Sequence, residues 1–216
     1  MQKGKEDTQD LAGVSRFVPL LALLNAPTKL TEQEFINLVQ QQTEITHANQ
    51  IHKDLAAVFG SWAYHANLKP SEKPSKVFPL VKIPDSLKES VAKATALLAS
   101  SLSDQDAVDS LGEIKEYGGK KIATSRSCAW IGALPATIFL ILKHENEGLE
   151  AALKSNVLIG GDSAARGILI AAILSPYSES QGKSLPKGWL SDLQLKSSIE
   201  KLVDSVSQSK SLKEEL

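Results

Sequence analysis

The feature that most limits the fold is an unbroken apolar stretch at residues 128–142, which contains Pro135. A helix that crosses a bilayer needs about 20 apolar residues, so this stretch is too short to span a membrane. An apolar segment of this length is typical of a helix that is buried on all sides. The rest of the chain must therefore supply elements that pack around it.

Those other elements also have helical spacing of their apolar residues. Thr31 and Glu34 form a capping-box pattern, which predicts a helix start at Glu32. Pro19 should kink or begin the first helix, because proline lacks the amide donor. No run of alternating apolar and polar residues predicts a strand. The predicted helices cover residues 11–24, 32–42, 47–67, 85–101, 104–116, 127–144, 147–157, 164–174 and 191–207.

We therefore expect an all-α fold, with residues 1–216 forming a single domain. The density of prolines in residues 69–84 predicts a surface loop. A second loop is predicted at residues 117–126, where Gly118 and Gly119 adjoin basic residues. The charged residues 208–216 predict a frayed tail.

Composition excludes several functional classes. The net charge of −1 argues against a surface that binds nucleic acid. The single cysteine, Cys128, excludes an internal disulfide framework and a cysteine-clustered zinc site. The charged start of the chain does not resemble a secretory signal, and no membrane span is expected. These features predict an intracellular, cytoplasmic protein.

Common catalytic patterns are missing from the sequence. It contains no GxSxG elbow, P-loop, GxGxxG or HExxH pattern. The histidines do not predict a metal site either. His47 and His52 would point to divergent faces if both lay on one helix, because five residues rotate the helix by about 500°.

The most informative segment is residues 156–167, which reads NVLIGGDSAARG. Its two glycines allow a sharp turn and a close approach to a ligand. Asp162 then lies at the start of an apolar helix, where it could cap the first turn. The same geometry suits an anion at the helix end or a hard cation held by the carboxylate. Arg166 lies one turn after Asp162, so the two side chains could pair.

This segment, followed by the LPKGWL sequence, resembles the C-terminal motif of the ADP-ribosylglycohydrolase family, which reads N-x-x-x-G-G-D-x-D-[TS]. Two further motifs agree in order: Arg16 and Pro19 resemble an "MR-x-x-P" helix, and Thr46-His47 resembles a "TH" helix start. The GGDSAAR form is most similar to the branch that includes the J1 crystallins. The resemblance covers about residues 10–193 and implies an orthogonal helical bundle. It also implies that this chain holds only the C-terminal two-thirds of the family scaffold and is truncated at its N-terminus.

The resemblance also implies a site. Family enzymes use two Mg²⁺ ions, held by an N-terminal S/T-D-D motif and by the C-terminal motif. Asp162 matches the first C-terminal metal ligand, whereas Ala164 and Ala165 replace the two other oxygen ligands. No catalytic residue is implied with enough support to name. The residues expected to bind substrate are Gly13, Ser15, His47, Gly160, Gly161, Ser163 and Arg166.

Two functions follow from the resemblance. The first is a protein that hydrolyses an N- or O-glycosidic bond to ADP-ribose, with ADP-ribose or an ADP-ribosylated protein as its partner and Mg²⁺ as its cofactor. The second is a non-catalytic structural or ligand-binding protein of the crystallin J1 type, which Ala164 and Ala165 favour. An unrelated interaction module that uses the proline-rich loop is a third alternative. We also expect self-association through apolar surface exposed on helices such as residues 11–24.

Overall fold

Helices dominate the computed structural model, which describes residues 4, 7–25, 29–68, 82–183 and 186–208. The all-α prediction is confirmed. Most of the predicted proline-rich loop and nearly all of the predicted frayed tail lie outside the described residues. The helices are α1 (Ala12–Ser15), α2 (Glu32–Glu44), α3 (Gln50–Ala66), α4 (Lys88–Ala96), α5 (Asp104–Ser110), α6 (Trp130–Lys143), α7 (Leu149–Ile159), α8 (Ser163–Ser180), α9 (Lys187–Ser191) and α10 (Lys196–Gln208). Short 3-10 segments occupy Val18–Asn25, Asp85–Leu87, Leu97–Ala99 and Thr124–Arg126.

Side-chain caps fix where several helices begin. At α2 the predicted capping box is present, with the Thr31 amide donating to Glu34 at 2.7 Å and the Glu34 amide donating back at 3.3 Å. Asn49 caps α3 by accepting the amide of His52 at 3.0 Å. The α3 helix therefore begins after His47, not at it.

The apolar stretch forms α6 at the centre of the core, as its composition predicts. Residues 132–141 of α6 are all buried, including Pro135 inside the helix. This helix packs against α4 and α8, while α2 packs against α3. The buried cluster draws side chains from α1 through α8. The loops that join α6, α7 and α8 are thereby held on a rigid base.

The segment 11–24 differs from the predicted helix. It forms only the single turn of α1, and Pro19 lies in the 3-10 segment Val18–Asn25 that follows. Leu11, Val14 and Phe17 are fully buried. The prediction that this segment exposes apolar surface is therefore wrong for these residues, because α1 packs against α3 and α8.

A β-hairpin replaces the end of one predicted helix and part of a predicted loop. Strands β1 (Ile114–Tyr117) and β2 (Lys120–Ala123) pair in antiparallel fashion, with Ile114 opposite Ala123. Gly118 and Gly119 have φ of +57° and +76°, which suits a tight two-residue hairpin turn. Half of the strand residues are charged, so no apolar alternation marked the strands in the sequence.

None of the helices in the described ranges is both long enough and apolar enough to cross a bilayer. The most apolar of them, α6, has 14 residues.

Candidate functional site

The loop between α7 and α8 holds the Gly160-Gly161-Asp162 sequence in a conformation that requires glycine. Both glycines have positive φ, at +75° and +70°. A Cβ on Gly161 would lie 2.2 Å from the carbonyl oxygen of Arg126. The amide of Asp162 donates to that same oxygen at 2.8 Å. The loop is thus pressed against the segment that precedes α6, and this contact fixes Asp162.

A buried side-chain network supports the loop from below. Arg166 is fully buried and donates from Nε to Asn156 Oδ1 at 3.0 Å and from Nη2 to Gly160 O at 2.7 Å. A longer contact joins its Nη1 to Arg126 O at 3.4 Å. Asn156 in turn donates to Ser163 O at 2.8 Å. Together these bonds tie α8 to α7, to the loop and to the 3-10 segment Thr124–Arg126.

Arg166 therefore has a different role from the one predicted. Its guanidinium is directed to loop carbonyls and to an amide, and no ion pair within 4 Å joins it to Asp162 among the described residues. Burial lowers the pKa of Arg166, and the nearby Asp162 carboxylate opposes that shift. We conclude that Arg166 supports the loop that carries Asp162, and its contact with a substrate stays a prediction.

Asp162 occupies the N-cap position of α8, but its side chain makes no capping hydrogen bond. The prediction of a capping side chain is therefore wrong, although the position is right. The half-buried carboxylate is directed instead to a second carboxylate and a thiol. One oxygen of Asp162, one oxygen of Asp10 and the Cys128 sulfur all lie within 4.8 Å of one another. We call these three residues the acid–thiol cluster.

Backbone pairing brings Asp10 to this place. Asp10 and Ala129 form an isolated antiparallel bridge, in which Leu11 N donates to Cys128 O at 2.9 Å and Trp130 N donates to Gln9 O at 2.8 Å. The Asp10 side chain accepts the amide of Ala12 at 2.8 Å and so begins α1. Sequence analysis missed Asp10, because only the tertiary pairing of the segments before α1 and α6 places it beside Asp162.

The thiol in the cluster is chemically quiet. Cys128 is exposed, yet desolvation and the two neighbouring carboxylates raise its pKa. Negative groups disfavour a further negative charge, so the sulfur stays protonated near neutral pH. A protonated thiol is a poor nucleophile and a poor ligand for a hard cation.

Two histidines lie beneath the loop that carries Asp10. The rings of His47 and His52 are 4.6 Å apart, although helical rotation predicted divergent faces. That prediction is wrong because His47 precedes α3 and so does not follow its rotation. His52 Nε2 lies 2.9 Å from the carbonyl oxygen of Asp10. His52 thereby fixes the backbone of Asp10.

Three other predicted substrate residues have packing contacts. His47 is 7% exposed, and its Nδ1 lies 2.9 Å from Thr46 Oγ1. A Cβ on Gly13 would lie 2.4 Å from the His47 ring, so Gly13 makes room for that ring. Ser15 is buried and donates to Ala12 O at 2.9 Å. These contacts give Gly13 and Ser15 a role in the packing of α1, and their contact with a substrate stays a prediction.

The donor set decides which metal the site could hold. Asp10 and Asp162 supply carboxylate oxygens, and two carboxylates with water are enough for one Mg²⁺. Ala164 is exposed and Ala165 is buried, and neither offers an oxygen in its side chain. The described residues thus fit one hard divalent cation and do not fit two.

Comparison with known protein families matches residues 2–215 to the model described as ADP-ribosylglycohydrolase. The chain belongs to the ADP-ribosylglycohydrolase family. The match extends beyond residues 10–193, so the expected restriction to part of the scaffold is not confirmed. A search of curated proteins gives no match. Family membership supports a glycohydrolase-like function and suggests dependence on a metal.

Proposed function

We propose that this protein acts on ADP-ribose joined to a protein side chain by an N- or O-glycosidic bond, inside the cell, at a site built on Asp10 and Asp162. The observation that carries the proposal is the free orientation of the Asp162 side chain. A carboxylate at a helix start normally caps the helix, whereas this one is directed towards Asp10. Two carboxylates held close together at half-buried positions are suited to chemistry on a sugar.

Each carboxylate has a role that its surroundings support. Asp162 is held by the Arg126 carbonyl and by the network of Arg166, so its position is rigid. Asp10 uses one carboxylate oxygen to begin α1, which leaves the other to accept a hydrogen bond from water. A carboxylate that orients a water molecule can take its proton as a general base. Mg²⁺, when bound by this pair, would polarise sugar oxygens as a Lewis acid.

The direct test is release of ADP-ribose from a mono-ADP-ribosylated protein, measured with and without Mg²⁺. We expect release that Mg²⁺ stimulates and that both Asp162→Ala and Asp10→Ala reduce at least tenfold, on the order of a lost positioning carboxylate. Asp192→Ala removes an exposed carboxylate elsewhere and serves as the matched control. Release that is equal in the control and in both site variants would refute the proposal.

A second candidate is a non-catalytic ligand-binding or structural protein of the crystallin J1 type. Ala164 and Ala165 favour it, because they remove oxygen ligands that two-metal chemistry would need. Calorimetry with ADP-ribose separates the two candidates. Binding that is lost in Asp162→Ala, with no release from a modified protein, would support this second function over the first.

A further inference from the structure

A short segment, residues 126–130, contacts both carboxylate-bearing parts of the candidate site. The carbonyl oxygen of Arg126 accepts the amide of Asp162 at 2.8 Å. Three residues later, Ala129 pairs with Asp10 in the isolated antiparallel bridge. We call residues 126–130 the bridging segment. A shift of this segment would move Asp10 and Asp162 relative to each other.

A side-chain ion pair fixes the start of the bridging segment. Arg126 donates from Nε to Asp109 Oδ1 at 2.6 Å, and its Nη2 donates to Asp109 Oδ2. Two parallel hydrogen bonds of this kind fix the orientation of the two groups as well as their distance. The two side chains are 21% and 28% exposed, so salt screens this pair less than it would screen a surface pair. The ion pair thereby ties Arg126 to α5.

Asp109 lies at a position that its own helix disfavours. It is the penultimate residue of α5, and the C-terminal end of a helix carries a partial negative charge. A carboxylate at this end is repelled unless a cation neutralises it. Arg126 supplies that cation, so the ion pair accounts for an acidic residue at a position where α5 itself gains nothing from one.

The charge of Asp109 also matters to a cation bound at the site. Burial lowers the pKa of Arg166, and the positive charge of Arg126 lowers it further, so the two guanidinium groups are close enough to repel each other. Asp109 neutralises one of them. Loss of Asp109 would loosen the bridging segment and leave an unpaired guanidinium beside the loop, and both changes weaken the binding of a divalent cation.

We infer that Asp109 is a positioning residue of the candidate site: through Arg126 it holds the bridging segment, and with it both carboxylates, in the arrangement that binds a divalent cation. The inference rests on the proposed function, because it takes the pair Asp10 and Asp162 as the cation site. Asp109 acts through Arg126 and takes no part in the reaction itself.

Hydrogen exchange of the Asp162 amide tests the inference without metal or substrate. This amide donates to the Arg126 carbonyl, so its exchange rate, measured by NMR, reports how firmly the loop is held on the bridging segment. We expect Asp109→Asn to accelerate this exchange at least about tenfold, while amides of α2, the reference for global unfolding, change much less. Glu113→Gln is the matched control, because it removes an exposed carboxylate just beyond α5 and should leave the exchange unchanged.

A double-mutant cycle shows whether Asp109 acts through Arg126. Arg126→Met removes the guanidinium but keeps the backbone carbonyl that accepts the Asp162 amide. In this background, Asp109→Asn should accelerate the exchange by less than about twofold. The same acceleration in both backgrounds would contradict the inference. Should Asp109→Asn fail to fold, Arg126→Lys keeps the charge without the fork of donors and should also accelerate the exchange.

Binding of Mn²⁺, followed by electron paramagnetic resonance, connects the position of the loop to the cation. We expect Asp109→Asn to weaken Mn²⁺ binding about tenfold, and Asp109→Glu, which keeps the carboxylate, to weaken it less than about threefold. A wild-type protein that binds no Mn²⁺ would refute the proposed cation site and this inference with it. If the wild type binds Mn²⁺, then unchanged Asp162 exchange or unchanged Mn²⁺ affinity in Asp109→Asn would overturn the inference alone and leave the proposed function intact.

Discussion

Replacing Arg166 with leucine should lower the free energy of unfolding more than removing the same charge from an exposed position does. Arg166 is fully buried and donates hydrogen bonds to Asn156 Oδ1 and to Gly160 O. Arg126 O keeps a donor after the change, because the amide of Asp162 also bonds to it. The buried acceptor Asn156 Oδ1 and the half-buried acceptor Gly160 O would thus lose this donor.

The expected cost follows from those two acceptors. An unsatisfied buried acceptor costs about 1–3 kcal/mol, and a bond from a charged donor lies at the upper end. Relief of the buried charge offsets part of this loss. We expect the free energy of unfolding to fall by about 3 kcal/mol, which for a chain of this size lowers Tm by about 6–12 °C.

Urea unfolding followed by tryptophan fluorescence measures this change. Arg16→Leu is the matched control, because it removes the same charge from an exposed position and should alter stability by less than about 0.5 kcal/mol. Arg166→Lys keeps the charge without the fork of donors and should give an intermediate loss. A loss below about 1 kcal/mol for Arg166→Leu would refute the role assigned to this network.

Three further predictions follow from the same structure. Burial lowers the pKa of both His47 and His52 below the ordinary 6.5, so the unfolded chain binds protons first as the pH falls. Stability should be full above about pH 6.5 and decline towards pH 5, and equal urea midpoints at pH 8 and pH 5 would contradict this. Gly161→Ala should cost at least about 2 kcal/mol more than Gly160→Ala in urea unfolding, because both have positive φ but only Gly161 would also collide with a carbonyl. Burial raises the pKa of Asp104, but hydrogen bonds from the Ser155 hydroxyl and from His144 outweigh burial and lower this pKa overall. The stabilisation that the Asp104 carboxylate provides is therefore lost as the pH falls below 3.8. Asp104→Asn should destabilise by about 1–2 kcal/mol at pH 7, and this difference from the wild type should shrink at pH 3.

The sequence predicted most helices because each depends on local signals. The spacing of apolar residues and the positions of proline and glycine are local patterns that span only a few helical turns. The predicted capping box at Thr31 is confirmed in both of its hydrogen bonds. The β-hairpin was missed for the converse reason. Its strands are short and half of their residues are charged, so no apolar alternation marked them, although Gly118 and Gly119 supply a local hairpin turn.

By itself, the sequence determined the helical class, the central apolar helix and the glycine-rich loop that presents Asp162. Only the tertiary structure decided what surrounds that carboxylate. Asp10 and Cys128 reach it through backbone pairing of segments that are distant in the chain, and Arg166 turns away from it to bond with loop carbonyls. Such contacts depend on how buried polar groups find partners after the core has packed, and no local pattern of residues encodes that choice.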